Sequence, residues 1–166
     1  MPHEAVTVVV PTYNERENLP HLAAAILLQG FSLIVVDDNS PDGTGEIADS
    51  LAREMPRLGV IHRVAKAGLG RAYAAGFDRA LEEGARVVIE MDADFSHNPM
   101  DLPRLVAAID DGADLAIGSR YVPGGATPDW PLHRRLISKA GNLYARAMLG
   151  IPIRDATAGF RAYRAE

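Results

Sequence analysis

Short apolar segments alternate with amphipathic stretches along most of the chain. The predicted strands are Val6–Val10, Leu33–Val36, Gly59–Arg63, Arg86–Met91 and Leu115–Gly118. Apolar positions at helical spacing follow the first four strands and predict helices over about Glu15–Gln29, Asp42–Glu54, Gly70–Glu83 and Pro99–Asp110. Because only a strand buried on both faces lacks polar alternation, the pattern predicts a doubly wound α/β fold with a parallel sheet.

The alternation of strands and helices ends after residue 118. A segment rich in Gly and Pro, Tyr121–Pro131, comes next, and a helix is predicted over about Leu132–Leu149. A loop of this length and composition is typical of a functional segment rather than a simple connection. No internal repeat, low-complexity tract or linker divides the chain, so we expect residues 1–166 to form one domain.

Composition narrows the class of protein. Of the 166 residues, 48% are hydrophobic and 23% are charged, which is typical of a globular domain with a substantial core. The absence of cysteine excludes a disulfide framework, a thiolate metal site and a cysteine nucleophile. The longest apolar run, Leu22–Leu28, is far shorter than the roughly 20 residues that cross a bilayer. The N-terminus shows no basic leader or cleavage site, so a cytoplasmic location is the expectation.

Polar residues follow each predicted strand. Ligands of open α/β sheets bind outside the carboxyl ends of the strands. In this chain those positions hold Pro11, Thr12, Tyr13, Asn14, Glu15, Asp37, Asp38, Lys66–Arg71, Asp92, Asp94, Ser119 and Arg120. Several are carboxylates, so this edge of the sheet is the candidate site.

Asp92 and Asp94 directly follow the fourth predicted strand. Two carboxylates at this spacing can converge on Mg²⁺ or Mn²⁺, which prefer oxygen ligands together with the oxygens of a bound diphosphate. A pair of turn-forming or helix-capping aspartates is the alternative. Ser96 and His97 lie close by and could add a contact, but His97 precedes a helix start and is expected to be a loop residue.

Asp37 and Asp38 form a second acidic strand end. A carboxylate there can bind a ribose hydroxyl or the N–H groups of a base. Capping of the next helix is the alternative, but the turn Asn39–Asp42 is expected to supply that cap and to leave both aspartates free. Lys66 and Arg71 flank two glycines at a predicted helix start, which suits an anion, although the segment is not a Walker loop.

Charge is distributed unevenly along the chain. Residues 1–119 carry 9 basic and 19 acidic side chains, whereas residues 120–166 carry 8 basic and 3 acidic ones. Arginine suits bidentate contacts with phosphate. The candidate anion-binding residues of the basic part are Arg120, Arg134, Arg135, Lys139 and Arg161. We therefore expect an acidic half that holds a metal and a nucleotide diphosphate and a basic half that receives an anionic acceptor; a solvated basic surface is the alternative.

Five ordered blocks of the sequence resemble one enzyme family. They are 8–15 (VVVPTYNE), 36–44 (VDDNSPDGT), 90–97 (EMDADFSH), 118–125 (GSRYVPGG) and 157–164 (TAGFRAYR). The first three are similar to family-two glycosyltransferases of the GT-A fold. With the other two, the chain resembles the dolichol-phosphate mannose synthases and the bacterial polyprenol-monophosphomannose synthases, and it is less similar to the glucose branch.

The resemblance implies a GT-A, Rossmann-like three-layer α/β sandwich with a mostly parallel central sheet. It also implies GDP-mannose over the strand ends, with nucleotide-sugar contacts from Pro11, Tyr13, Glu15, Val36, Asp38, Lys66 and Asp92. The implied ligands of Mg²⁺ or Mn²⁺ are Asp92, Asp94 and Ser96. The implied acceptor-phosphate residues are Arg120, Arg134 and Ser138. The implied catalytic residues are Asp94, Arg120 and Arg134.

The implied reaction moves mannose from GDP-mannose to a polyprenyl monophosphate with inversion at the anomeric carbon. A phosphate monoester carries close to two negative charges near pH 7, so it needs no protein base in order to attack. The membrane acceptor implies a protein peripheral to the cytoplasmic face. Because family members usually continue past the 157–164 block, residues 1–166 would be a single catalytic domain without that extension. A missing C-terminal segment or an anchoring protein would then make the membrane contact.

Three alternatives stay open on the sequence alone. A polyprenyl-phosphate glucose synthase would use UDP-glucose at the same site. A phosphohydrolase of the haloacid dehalogenase type would use Asp92 as its nucleophile, but that class normally places the motif after its first strand. A nucleotide-sugar-binding fragment without activity is the third. The net charge of −5 and the lack of a basic aromatic platform argue against a nucleic-acid partner.

Overall fold

A six-stranded mixed sheet forms the centre of the fold. The computed structural model describes residues 5–119, 148, 155 and 158–165. Within these residues the strands are β1 (Val6–Thr12), β2 (Ser32–Asp37), β3 (Leu58–His62), β4 (Val87–Glu90), β5 (Leu115–Ile117) and β6 (Arg161–Arg164). Their order in the sheet is β3-β2-β1-β4-β6-β5. Strand β6 runs antiparallel to both of its neighbours, and the other paired strands are parallel.

Helices cover both faces of the sheet. They are α1 (Leu19–Leu27), α2 (Thr44–Glu54), α3 (Leu69–Glu82) and α4 (Leu102–Asp110), and a 3₁₀ turn over Pro99–Asp101 leads into α4. Apolar residues of α1, α2 and α4 share one core cluster with the sheet, whereas α3 packs on the opposite face. The predicted three-layer α/β sandwich with a mostly parallel sheet is therefore confirmed.

Strand β1 shows why continuous apolar runs predict strands in this fold. Val8 and Val10 are fully buried in the core cluster that includes α1 and α4. Val9, between them, is fully buried in the cluster beneath α3. Because both faces are covered, no position of the strand faces water before its carboxyl end. The loops of the candidate site begin there.

Helix α3 lies very close to the sheet. A Cβ atom added at Gly76 would stand 2.2 Å from Val9 Cγ1 and 3.2 Å from Val36 Cγ2, so no larger residue fits without displacing the helix. The contact seats the first turns of α3 against the central strands of the sheet. Tyr73, three residues before Gly76, is thereby held near the carboxyl end of β4.

Strand β6 was absent from the sequence prediction. It pairs Arg161 with Glu90 and Tyr163 with Val88, and so inserts an antiparallel strand between β4 and β5. The predicted loop Tyr121–Pro131 lies outside the described residues, as does the predicted helix over Leu132–Leu149 apart from the helical residue 148. In the described ranges, no helix combines the length and the hydropathy of a transmembrane segment.

Candidate active site

The loops that follow β1, β2 and β4 extend from one edge of the sheet. Each loop contains a non-glycine residue in the left-handed region, and the three residues Asn14, Asn39 and Phe95 have φ angles of 62°, 57° and 58°. Asparagine tolerates this conformation, but a bulky side chain such as Phe95 adopts it at a cost of about 1–3 kcal/mol. Because such backbone strain clusters at functional turns, it marks the loop after β4 as part of the site.

Hydrogen bonds join the loop after β1 to the loop after β2. The backbone N–H of Asn14 donates to Ser40 Oγ at 3.1 Å, and that of Glu15 donates to Thr44 Oγ1 at 3.0 Å. The half-buried carboxylate of Glu15 accepts a hydrogen bond from Asn18 Nδ2 at 2.8 Å. The two loops therefore form one hydrogen-bonded unit, which we call the double loop (residues 13–18 and 38–44).

Asp37 is a structural residue at the base of the double loop. Its buried Oδ1 accepts hydrogen bonds from the hydroxyls of Thr12 at 3.1 Å and Ser40 at 2.6 Å. Its Oδ2 accepts the backbone N–H of Ser40 at 3.0 Å. The expectation that Asp37 would be free is wrong, because the turn that was expected to cap the helix also supplies donors to this carboxylate.

Asp42 supplies the turn at the start of α2. Its Oδ1 accepts the N–H and the hydroxyl of Thr44 at 3.0 and 2.6 Å, and its Oδ2 accepts the backbone N–H of Arg16 at 3.3 Å. Burial acts to raise the pKa of Asp42, but these hydrogen bonds outweigh it and hold the pKa below its usual range. The ionised form is therefore the one that the turn favours.

Asp38 was also expected to be free, and it forms a nearly buried ion pair instead. Arg63 Nη1 stands 2.7 Å from Asp38 Oδ1, and the two side chains are 14% and 7% exposed. The partner was missed because Arg63 is the last residue of the third predicted strand, and its contact depends on the pairing of β2 with β3. Asp38 keeps its place at the candidate nucleotide edge, with one carboxylate oxygen engaged by Arg63.

Two of the predicted nucleotide-sugar residues come together in the structure. Lys66 Nζ lies 3.9 Å from the centre of the Tyr13 ring, which is a cation–π contact between the loop after β3 and the double loop. Pro11 is partly buried near the end of β1. Val36, by contrast, is fully buried beneath α3, so its side chain belongs to the core and only its backbone could contact a ligand; its predicted nucleoside contact stays a prediction.

Three segments enclose the carboxylate of Asp92. Tyr73 donates its hydroxyl to Asp92 Oδ1 at 2.9 Å, and His97 Nε2 lies 3.3 Å from Asp92 Oδ2. The His97 contact is close enough for an ion pair but lacks the alignment of a hydrogen bond, so Tyr73 makes the better-defined bond. A Cβ atom at Gly159 would stand 3.1 Å from Oδ2, so this glycine leaves room for the carboxylate.

Electrostatics favour an ionised Asp92 beside a protonated Tyr73. His97, followed by the hydroxyl of Tyr73, holds the pKa of Asp92 below its usual range, although burial opposes this shift. Burial raises the pKa of Tyr73 strongly, and the nearby charge of Asp92 raises it further. Tyr73 is therefore a hydrogen-bond donor to a carboxylate at neutral pH.

Asp94 differs from Asp92 because it is exposed to solvent. Its Oδ1 accepts the backbone N–H of Ser96 at 2.9 Å across the strained Phe95, and this is its one hydrogen bond among the described residues. Within the described ranges, no three acidic or histidine side chains are grouped as a metal site. Mg²⁺ sites commonly combine one or two carboxylates with substrate phosphates, so the two carboxylates fit an ion that a bound diphosphate completes. Ser96 contacts Asp94 through its N–H, and its predicted ligand role stays a prediction.

A second carboxylate and tyrosine pair lies on the α3 face of the sheet. Tyr163 donates its hydroxyl to Glu90 Oε1 at 2.9 Å, and Arg161 Nη1 lies 3.4 Å from the same hydroxyl. Burial raises the pKa of Glu90, and the bond from Tyr163 opposes that shift. Arg161, which the sequence suggested as an anion-binding residue, takes part in this contact within the sheet.

The site therefore contains predicted and unpredicted residues. Arg120, Arg134 and Ser138, which were predicted to hold the acceptor phosphate, lie outside the described residues. Sequence reasoning missed Arg63 and Tyr73. Tyr73 has the spacing of an ordinary core residue on an amphipathic helix, so only the tertiary structure reveals its contact with Asp92.

Known proteins of similar sequence include a family profile and three relatives that cover nearly the whole chain. The profile of glycosyl transferase family 2 matches residues 7–166. A polyprenol monophosphomannose synthase of Mycolicibacterium smegmatis is 55% identical over 99% of this chain and 63% of its own length. An undecaprenyl-phosphate mannosyltransferase of Micrococcus luteus is 53% identical over 97% of this chain and 67% of its own length. A dolichol-phosphate mannosyltransferase of Pyrococcus furiosus is 44% identical over 97% of this chain and 46% of its own length.

The chain thus spans between about half and two thirds of the length of these relatives. Among solved structures, a mannosyltransferase from Pyrobaculum calidifontis in complex with GDP-Man and Mn²⁺ matches with a TM-score of 0.65 at 19% identity, over 96% of this chain and 44% of that one. The S. aureus protein TarS, residues 1–349, matches with a TM-score of 0.59 at 23% identity, over 96% of this chain and 46% of that one. These two likenesses support the fold.

Proposed function

Because the chain belongs to glycosyl transferase family 2, we propose that it is the catalytic domain of an inverting mannosyltransferase. The donor is GDP-mannose, the acceptor is a polyprenyl monophosphate, and the products are polyprenyl-phosphate mannose and GDP. The names of three relatives, each at least 44% identical to this chain, support the substrate classes. Family membership also argues against the haloacid dehalogenase alternative.

One structural observation carries the proposal. Asp92, enclosed by Tyr73 and His97, and the exposed Asp94 stand at the carboxyl end of β4, beside the central strand β1 that leads into the double loop. In open α/β sheets this edge is where nucleotides bind. The arrangement places two carboxylates beside the loops that are expected to hold the nucleoside.

Asp92 and Asp94 are the residues that would hold Mg²⁺ or Mn²⁺. When bound, such an ion neutralises charge on the diphosphate of the departing nucleotide. Ser96 orients Asp94 through its backbone N–H, as the 2.9 Å hydrogen bond indicates. We assign Asp94 a catalytic role, because it would bind the ion that assists departure of the nucleotide. We assign Asp92 a role in holding both the ion and the nucleotide sugar.

A lysine side chain also lies at the edge of the sheet where the nucleotide sugar is proposed to bind. Lys66 lies over the ring of Tyr13, and this contact holds a positive charge beside the double loop. Tyr13 is 38% exposed and therefore presents part of its ring to a ligand. We assign Tyr13 and Lys66 to the nucleotide sugar, together with Pro11, Glu15 and Asp38 at the same edge.

The chemistry of the acceptor phosphate determines what the protein must do on the acceptor side of the site. A phosphate monoester near pH 7 is already a nucleophile, so the protein has only to hold it in line with the anomeric carbon. Two anions repel at that distance, and Arg120, Arg134 and Ser138 are proposed to offset the repulsion. Because a polyprenyl acceptor resides in a membrane, the protein would work peripherally at its cytoplasmic face. A further segment or an anchoring protein would make that contact.

A transfer assay tests the proposed function. The protein is incubated with GDP-mannose labelled in the sugar, vesicles that contain undecaprenyl phosphate, and Mn²⁺ or Mg²⁺, and label in the lipid phase is counted. The proposal predicts metal-dependent labelling from GDP-mannose and none from labelled UDP-glucose. Labelling from UDP-glucose alone would instead support the glucose branch. Metal-dependent donor binding without transfer, in this chain and in a longer one, would support a binding fragment.

A further inference from the structure

The hydroxyl of Tyr73 is the best-defined contact of the Asp92 carboxylate. It donates to Oδ1 at 2.9 Å from a side chain that is buried in the core beneath α3. The ring packs edge-on against Phe77, with 6.3 Å between centroids. The close contact between Gly76 and Val9 seats the same helix on the sheet. The position of the hydroxyl is thus fixed by the packing of α3 and not by a surface loop.

We propose that Tyr73 is a positioning residue that orients Asp92 toward the metal and the diphosphate. This inference rests on the proposed function, because it assigns a task to the same site. A partly exposed carboxylate can rotate about its last torsion, and a bond to one oxygen fixes where the other points. Hydrogen bonds of this kind to metal-ligating groups typically contribute 10- to 100-fold in metal affinity.

The second oxygen of Asp92 is bounded on the other side. His97 lies 3.3 Å from Oδ2, and its ring stacks on Phe160 with 5.1 Å between centroids and 14° between planes. The backbone at Gly159 approaches the same oxygen so closely that an added Cβ atom would stand 3.1 Å away. Contacts from α3, from the loop after β4 and from the segment before β6 therefore enclose Asp92. Asp94, in contrast, is held by one backbone N–H of its own loop.

A matched control exists on the same face of the sheet. Tyr163 also donates its hydroxyl to a partly buried carboxylate, Glu90, at the same distance of 2.9 Å. Its ring packs edge-on against Phe77 as well, with 5.4 Å between centroids. Tyr73→Phe and Tyr163→Phe therefore each remove one hydroxyl and its hydrogen bond to a carboxylate, but only Tyr73 contacts Asp92.

The experiment measures Mn²⁺ binding directly. Mn²⁺ is titrated into the wild-type chain and both variants in the presence of GDP, free Mn²⁺ is read from its electron paramagnetic resonance signal, and thermal unfolding is recorded without metal. We expect Tyr73→Phe to weaken Mn²⁺ binding by about 10-fold or more. We expect Tyr163→Phe to bind Mn²⁺ like the wild type. A purely structural role would lower the Tm of the two variants and leave the Mn²⁺ affinity of both unchanged.

A second variant tests the same geometry without touching Tyr73. Gly159→Ala introduces a methyl group against Asp92 Oδ2, and we expect it to weaken Mn²⁺ binding while the Tyr73 hydroxyl stays in place. Wild-type affinity in Tyr73→Phe, or an equal loss in Tyr163→Phe, would overturn the inference and leave the proposed function standing. Absence of GDP-dependent Mn²⁺ binding in the wild type would overturn the proposed metal site itself.

Discussion

Arg63 and Asp38 form an ion pair with 2.7 Å between Nη1 and Oδ1, at the edge where the nucleotide is proposed to bind. Both side chains are nearly buried, so each charge depends on the other for its stabilisation. The pair links the end of β2 to the residue that follows β3. Asp38 is therefore held in place before any nucleotide arrives.

Loss of the arginine should destabilise the fold. Arg63→Met keeps the aliphatic stem but leaves Asp38 buried without its partner, and we expect the free energy of unfolding to fall by about 3 kcal/mol. Urea denaturation at pH 7 measures the change. Arg86→Met is the control, because its pair with Asp110 is about half exposed at a similar distance of 2.8 Å, and its loss should cost less than about 1 kcal/mol. Equal losses would mean that the Arg63 pair is no more than a surface contact.

Asp94 should be required for metal-dependent donor binding. Asp94→Asn removes the charge of a proposed oxygen ligand, and we expect Mn²⁺-dependent binding of GDP-mannose to weaken by about 100-fold or more, since even outer-shell partners contribute 10- to 100-fold. Calorimetry with and without EDTA separates this loss from metal-independent binding. The exposed Asp111, at the end of α4, supplies a control in Asp111→Asn. Normal metal-dependent binding in Asp94→Asn would refute the assignment.

The close packing of α3 on the sheet can be tested by substituting two glycines of this helix. Gly76→Ala places a methyl group 2.2 Å from Val9 Cγ1, and we expect a loss of about 1–3 kcal/mol in unfolding free energy. Gly70→Ala meets no atom within 4 Å and should stabilise the chain by about 0.5–1 kcal/mol, because alanine favours helix. Thermal and urea unfolding measure both. A neutral Gly76→Ala would contradict the close approach of the helix.

The turn at Asp42 gives a pH dependence with a defined sign. Its pKa is lower in the folded state than in the unfolded chain, so its contribution is present above the unfolded value of about 4 and is lost as the pH falls through the folded pKa. Asp42→Ala should cost about 1 kcal/mol at pH 7, because it removes the hydrogen bonds that this carboxylate accepts in the turn. The gap between wild type and variant, measured by urea unfolding, should narrow from pH 7 to pH 3. A gap that widens toward low pH would mean that the neutral acid is the favoured form.

Much of the fold could be predicted because burial on both faces gives a strand a continuous apolar sequence. The strand starting at Val6 is of this type, and the acidic residues predicted at the ends of β2 and β4 lie at one edge of the sheet, as parallel pairing with β1 requires. Strand β6 could not be predicted locally, because Arg161–Arg164 is short, carries an arginine at each end, and forms only by pairing with the distant residues of β4.

The partners of the site residues were harder to predict than the residues themselves. Asp38 and Arg63 are 25 positions apart, and Tyr73 and Asp92 are 19 apart, so sequence spacing gives no sign of either contact. The family resemblance implied a nucleoside contact for Val36, and the structure shows that its side chain lies in the core. Charge and strand position predict where chemistry occurs, and tertiary packing decides which side chains are available for it.

Donor binding tests the central claim most directly. Isothermal titration calorimetry of the chain with GDP-mannose and with UDP-glucose, each with and without Mn²⁺, measures whether the edge formed by β1, β2 and β4 is a metal-dependent nucleotide-sugar site. The account predicts binding of GDP-mannose that requires Mn²⁺ and is abolished by EDTA, with no comparable binding of UDP-glucose. Tight binding of UDP-glucose, or binding of GDP-mannose that is indifferent to the metal, would contradict it.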